Sequence, residues 1–454
     1  MSGHHPTSQR WLLAILVGVC GVLALAAPAA AQDDGEGTQG TLQYRSDDPE
    51  QTERVPIEGG VIIVHEAELS PDGRSVVEVG DEVARGESGP DGRFSIGVPG
   101  PGSYAVELDL ESLPEGVEIV DEARRILPLP LTNNQVRSVL FNLAEEGAAS
   151  AARDRVTSST FDRAARLTVE GIKFGLIIGM CAVGLSLIYG TTGLVNFALS
   201  EMITIGAVVA YFFNATVGIQ LIWATLLAMV VGGLFGASMD LVLWRPLRGR
   251  GAGLIAMMII TIGLAILLRY IVLYQFGERR RPYDDYAVQL DTLFEIGPVT
   301  VVPKDFIMIV VSASVLIGVG LALRYTKIGK AMRAVADNRD LAASTGIDVN
   351  RVITLVWFTA GVLVTLGGVF QGLSEQVQWL MGLQLLLLVF AGVTLGGLGT
   401  DFGAMVGSLV VGVFIFLSTL VVAPELKNVG ALLVMIGILM VRPQGIFGRR
   451  ERIG

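Results

Sequence analysis

The 454-residue sequence holds only two cysteines, Cys20 and Cys181, both inside hydrophobic runs. That excludes a disulfide framework and a cysteine-built metal site. Histidine is as scarce: His4, His5 and His65 are the full complement, so nothing after residue 65 can use an imidazole. Lysine is absent before Lys173, and no Gly-x-x-x-x-Gly-Lys-Ser/Thr phosphate loop occurs anywhere. The nearest approach, Gly329-Lys330, is followed by Ala331, so this chain is not expected to hydrolyse ATP itself. Charge is sparse too, at 17% of residues against about 25% in soluble domains. With 52% hydrophobic residues and a mean hydropathy of +0.59, the composition excludes a wholly soluble enzyme and points to a polytopic membrane protein.

What charge there is divides unevenly. Residues 32–165 carry 27 acids against 11 arginines, whereas 166–454 carry 16 acids against 21 lysines and arginines. The acidic block is a poor partner for nucleic acid or anionic lipid. Ahead of it, residues 1–31 run from Arg10 through the apolar stretch Trp11–Ala27 to Pro28-Ala29-Ala30-Ala31. That is the layout of a secretory signal cleaved after Ala31; uncleaved, it would be a signal anchor, and either form exports the acidic block. From 32 to 143, short β-type runs alternate with turn clusters such as Pro71-Asp72-Gly73 and Gly89-Pro90-Asp91-Gly92. The spacing predicts a small extracytoplasmic antiparallel sandwich of roughly seven strands. The lone His65 reads as a surface residue, and the acids Glu107, Asp109 and Glu111 as a solvated face rather than a calcium loop. Residues 144–166 then form a linker or surface helix.

A bilayer crossing needs about 20 mostly apolar residues. Such runs occur near 170–189, 201–217, 220–243, 252–275, 306–323, 352–372, 383–398, 402–422 and 427–441, within a membrane domain of 167–448 and a tail of 449–454. If 383–398 is a re-entrant half-helix, the crossings are fewer and the parity unchanged. Arg245 to Arg250, the link carrying Arg324, Lys327, Lys330, Arg333, Arg339 and Arg351, and the C-terminal Arg442, Arg449, Arg450 and Arg452 are all expected on the cytoplasmic side. Arg279-Arg280-Arg281 falls outside in this topology, in a loop where six acids accompany those arginines and Lys304.

Two stretches interrupt the hydrophobic runs. One is Gly190 to Phe197, with Gly193 and Asn196, followed by Glu201; the other is Gly396-Gly397-Leu398-Gly399 to Gly403. Unwound backbone at membrane depth is tolerated where protein or a water-filled path satisfies it, and an intramembrane acid is a functional candidate. The plainer alternative makes Asn196 and Glu201 caps at the membrane surface. Gly403, Gly407 and Gly412 form a small-residue face for helix packing. Arg269 lies deep in the fourth run with no partner evident from sequence. In the link after 325, Ala331, Met332, Val335 and Leu341 to Ala343 give a short helix an apolar face, Gly346 stops it, and the shape suits docking into a partner's groove. A charged loop of this length can also simply be solvated.

This link closely resembles the ATPase-coupling loop of permeases of the branched-chain amino acid class of ATP-binding-cassette importers. Other stretches resemble the same family in order: Gly193-Leu194-Val195-Asn196-Phe197-Ala198, Arg245-Pro246-Leu247-Arg248 with Thr261-Ile262-Gly263-Leu264, Gly396-Gly397-Leu398-Gly399 with Gly403-Ala404, and Arg442-Pro443-Gln444-Gly445. The early motif usually continues with His-Gly before an acidic or polar residue, where this chain has Leu199-Ser200-Glu201. The exported β-domain, which the family normally lacks, resembles carboxypeptidase-regulatory-like sandwiches through Asp91-Gly92-Arg93-Phe94 and Gly100 to Val106. The resemblance implies a pore subunit in a bacterial plasma membrane, embedded in lipid, paired with a second homologous permease. Two cytoplasmic ATPase subunits would carry the ATP and magnesium, none of it bound by this chain, and an extracytoplasmic solute-binding protein would deliver the solute. It also implies a coupling set of Gly329, Lys330, Ala331, Arg333, Ala334, Asn338, Ala342 and Gly346. The translocation path would then run past Gly193, Asn196, Glu201, Gly396, Gly397, Gly399 and Gly403. The same architecture could import urea, short amides or another small polar solute; a membrane-anchored receptor or scaffold is the reading from a different class.

Overall fold

The computed structural model describes residues 37–45, 55–70, 75–120, 125–131, 136–139, 143–145, 160–286, 293–296 and 299–422, with isolated positions elsewhere. The expected signal at 1–31, most of the 144–166 linker and most of the last hydrophobic run at 427–441 lie outside them. Two compact units are present, one β-rich and one helical.

The β-rich unit has more and shorter strands than expected: β1 (Gly37–Thr41), β2 (Gln43–Arg45), β3 (Val55–Pro56), β4 (Val61–Leu69), β5 (Val76–Glu87), β6 (Arg93–Gly97), β7 (Gly102–Leu108), β8 (Val117–Ile119), β9 (Ile126–Leu131), β10 (Val136–Val139) and β11 (Leu143–Glu145). They form sheets ordered β5-β4-β7-β9, β3-β2-β11-β8 and β10-β1-β6. The fully antiparallel expectation fails twice, since β1 pairs with β10 and β2 with β11 in parallel. Local patterning cannot reveal these pairs, because each joins the start of the unit to its end. Period-two alternation turns Phe94 and Ile96 of β6 inward against Leu42, Ile62, Val64, Val106, Leu108 and Leu129. Of the acids considered for calcium, Glu107 lies 3.2 Å from His65 Nε2 and 2.9 Å from Arg125 Nη2. Asp109 accepts a hydrogen bond from the Glu111 amide.

The helical unit contains α1 (Thr160–Thr192), α2 (Leu199–Tyr211), α3 (Leu221–Met239), α4 (Arg245–Gly249), α5 (Leu254–Phe276), α6 (Pro303–Tyr325), α7 (Lys327–Asp337), α8 (Arg339–Ser344), α9 (Val349–Glu375), α10 (Met381–Gly396) and α11 (Asp401–Ser418). A small hairpin, β12 (Phe294–Ile296) with β13 (Val299–Val301), precedes α6. Among the described residues, seven helices are long and apolar enough to cross a membrane, α2 and α3 being continued by wider turns at 212–216 and 240–244. The eighth, α10, has 16 residues, about 24 Å of helix. Val377, just before it, pairs with Arg281, its second residue Gly382 packs against Ser200 and Thr204, and Gly399, just after it, approaches Tyr189 of α1.

Burial ranks the helices. The apolar window of α1 is 89% buried, which makes it the central post, whereas those of α5 and α6 are 28% buried and present Ile259, Ile266, Tyr274, Ile307 and Ile317 outward. Glycine lets the inner helices approach backbone to backbone. A Cβ on Gly361 of α9 would sit 2.3 Å from the carbonyl oxygen of Gly232 in α3, and one on Gly407 of α11 would sit 2.2 Å from that of Gly392 in α10.

At the end of the bundle away from α7, the 277–286 stretch is tied down. Asp285 accepts from the Leu221 amide and from Asn214 Nδ2, and Arg281 stacks 4.9 Å from the Phe276 ring. Tyr283 donates to the Ala207 carbonyl, and burial pushes its phenol above the usual range.

Candidate functional site

Gly193 has φ = 68°, a left-handed conformation that glycine adopts without strain, and it stops α1. Residues 193–198 then turn back into the bundle without helical structure. Gly193 lies beside Leu254, the first residue of α5, while the Phe197 amide reaches Thr261 Oγ1 at 3.3 Å. Thr261 is seven residues further along α5, about 10 Å of helix. The break therefore enters the helical bundle. Asn196 is fully buried; its Oδ1 accepts from the Ala198 amide, and its Nδ2 has no partner among the described residues.

One turn on, Glu201 is 0% exposed and Oε1 accepts from Arg269 Nε at 3.0 Å and Nη2 at 2.8 Å, with Ser200 Oγ at 3.1 Å. Its Oε2 has no hydrogen-bond partner among the described residues. Arg269, partnerless in the sequence, thus has one in Glu201. A second buried pair, Asp240 with Arg248, lies where α3 widens into α4, and Thr354 Oγ1 donates to the other oxygen of Asp240 at 2.7 Å. The two pairs share no contact.

The link between α6 and α9 folds as two short helices with their own caps. Thr326 accepts from the Gly329 amide at 3.0 Å, Asn338 from Leu341 at 2.9 Å and Asp348 from Arg351 at 3.1 Å. Each such cap is worth about 1 kcal/mol. Gly346, at φ = 88°, ends α8. The apolar face expected to dock elsewhere is partly used internally: Gly329, Met332, Val335 and Ala342 are buried, and Ala331 and Ala334 half-buried. A Cβ on Gly329 would sit 2.4 Å from the Leu323 carbonyl oxygen, so only glycine lets α7 fold back onto α6. Lys330, Arg333 and Asn338 point outward with Ile328 and Leu341, which are 53% and 64% exposed; Arg333 also donates to the Arg324 carbonyl.

The second break closes the arrangement. Gly397, at φ = 105°, and Gly399 make the turn between α10 and α11, with Gly396 and Gly403 in direct backbone apposition. Facing this turn across a cleft of about 1110 Å³ are the end of α1, Arg324 of α6 and Met332 to Arg339. Across it Arg339 donates through Nε and Nη2 to the Thr191 carbonyl oxygen, at 2.9 and 2.6 Å. Burial, reinforced by nearby Arg248, holds the Arg339 guanidinium below its ordinary value. The short helices are thereby tied directly to the turn of α1 that ends at Gly193. Sequence reading missed this fork because it spans 148 residues; the only signal was an arginine among small residues at the start of α8.

Residues 167–439 match the family model for the permease component of branched-chain amino acid transport systems. Similar proteins include the high-affinity branched-chain amino acid transport system permease protein LivH of Escherichia coli (strain K12), 29% identical over 304 residues, covering 62% of this chain and 94% of that one. BraD of Pseudomonas aeruginosa, of the same description, is 29% identical over 301 residues, covering 62% of this chain and 95% of that one. The probable branched-chain amino acid transport permease LivH of Methanocaldococcus jannaschii is 28% identical, covering 63% and 94%. The helical unit, with its two glycine turns and the capped helices between α6 and α9, thus belongs to the family of permease components of branched-chain amino acid transport systems.

Proposed function

We propose that this chain is the pore subunit of an ATP-driven importer for branched-chain or closely related amino acids, and that α7 and α8 receive the movement of separate ATPase subunits. The observation that carries the coupling role is the Arg339 fork onto the Thr191 carbonyl. It joins the most outward-facing part of the α6–α9 link to the helix end from which the chain re-enters the bundle. Ile328, Lys330, Arg333 and Leu341 supply the docking face. Nucleotide-driven closure of the ATPases moves this face, the fork carries the displacement to α1, and the two glycine turns at 193 and 397–399 act as hinges. The end bearing α7 and α8 is cytoplasmic by its excess of lysine and arginine. A second permease, a solute-binding protein and surrounding lipid complete the assembly, and the β-rich unit is an exported accessory module.

The test is uptake of labelled leucine, isoleucine and urea into proteoliposomes holding the complex purified from its native membrane. ATP-dependent entry of the amino acids supports the reading. Entry of urea alone would assign the same architecture to the small-amide importers.

A further inference from the structure

Arg269 is the sixteenth of the 23 residues of α5, about 22 Å along the helix, and its neighbours Ile266, Leu267 and Tyr270 face outward. Its side chain remains 17% exposed. A charged side chain partly open at this depth is costly against hydrocarbon, so the surface it meets is better lined by water or by another protein than by lipid. The bonds to Glu201 use Nε and Nη2 and only one carboxylate oxygen. The edge of the guanidinium that carries Nη1 is not used by Glu201, and its shape matches the two oxygens of a carboxylate. On the acid side, among the described residues, Glu201 Oε2 is an unpaired buried acceptor, and about one turn before it Asn196 Nδ2 is an unpaired buried donor. Leaving such groups bare is unfavourable, and a ligand can relieve it. A ligand able to satisfy both an arginine and a carboxylate without adding net charge is a zwitterion.

We propose that the Arg269–Glu201 pair is a way-station for the backbone of a free α-amino acid: Arg269 takes the carboxylate and Glu201, through Oε2, faces the ammonium group. This rests on the amino acid reading of the importer and adds the residues that recognise the part common to all its solutes. It places the path along the outward edge of α5, beside the unwound 193–198 segment.

The purified complex in proteoliposomes separates this from a purely structural ion pair. R269K and the exchanged variant E201R/R269E are compared with wild type for leucine uptake, with retention of the partner subunits as the measure of folding. The exchanged variant keeps a salt bridge but reverses donor and acceptor, so it should assemble yet import leucine at least tenfold more slowly; R269K should fall similarly. In the unmutated complex, millimolar leucine should protect Arg269 from an arginine-selective dicarbonyl reagent, read by mass spectrometry. Wild-type uptake by the exchanged variant, or no protection, overturns the way-station and leaves the importer reading intact. Urea uptake without leucine uptake by the wild-type complex overturns both.

Discussion

Replacing Arg339 by alanine tests how movement crosses from α8 to α1. The side chain makes two hydrogen bonds to one carbonyl oxygen at the C-terminus of a 33-residue helix. A charged hydrogen bond contributes about 1.5–3 kcal/mol when buried, and because Arg339 is only half-buried and both bonds share an acceptor, the lower figure is appropriate. A cation at a helix C-terminus adds about 0.5 kcal/mol. Together that is about 2 kcal/mol, or roughly thirtyfold in the population of the tied state. ATP hydrolysis by the complex should therefore continue in R339A while leucine imported per ATP falls about tenfold or more. R339K keeps the charge but loses the planar fork, and should lie between the two. The assay is paired measurement of uptake and phosphate release in proteoliposomes. A ratio within twofold of wild type for R339A would refute the fork as the coupling contact.

Four further substitutions probe the packing and a buried ion pair. G407A would place a methyl 2.2 Å from the Gly392 carbonyl oxygen, forcing α10 and α11 apart at a cost of about 1–3 kcal/mol, whereas G318A meets nothing within 4 Å; thermal unfolding in detergent should separate them by several degrees. D240A leaves the Arg248 charge uncompensated beside α4 and should destabilise by about 3–5 kcal/mol, seen as loss of monodisperse protein on size exclusion. G329A pushes α7 away from the Leu323 carbonyl, so ATPase binding should weaken while the chain still inserts; undiminished co-purification would contradict the proposed docking geometry.

The membrane architecture was largely legible because hydrophobic length is a local property. Eight of the nine expected runs match described helices, with ends shifted by capping residues that hydropathy does not sense, as at Thr326 and Asp348. The two glycine breaks were also visible, since clustered glycines between apolar runs weaken the helix wherever they fall. What composition could not supply was depth. Asn196 and Glu201 fit a surface cap equally well in sequence, and only the Phe197 contact with Thr261 and the pairing with Arg269 put them inside. The apolar face of α7 was legible as a face but not its destination. Met332 and Val335 turn onto the chain's own bundle, so the surface left for a partner is the more polar one around Ile328 and Leu341. In the β-rich unit the turns were plain, whereas the parallel pairs β1–β10 and β2–β11 depend on contacts about a hundred residues apart.

Affinity purification of the tagged chain from its native membrane, beside the I328D/L341D variant, tests the coupling role most directly. Both side chains are exposed, so the variant leaves the internal packing alone, unlike a charge at buried Ala342. Mass spectrometry should find two ATPase subunits and a second permease with the wild-type chain, and the permease without the ATPases with the variant. ATPases retained equally by both, or absent from the wild-type preparation, would contradict the assignment of α7 and α8 as the receiver of ATP-driven movement.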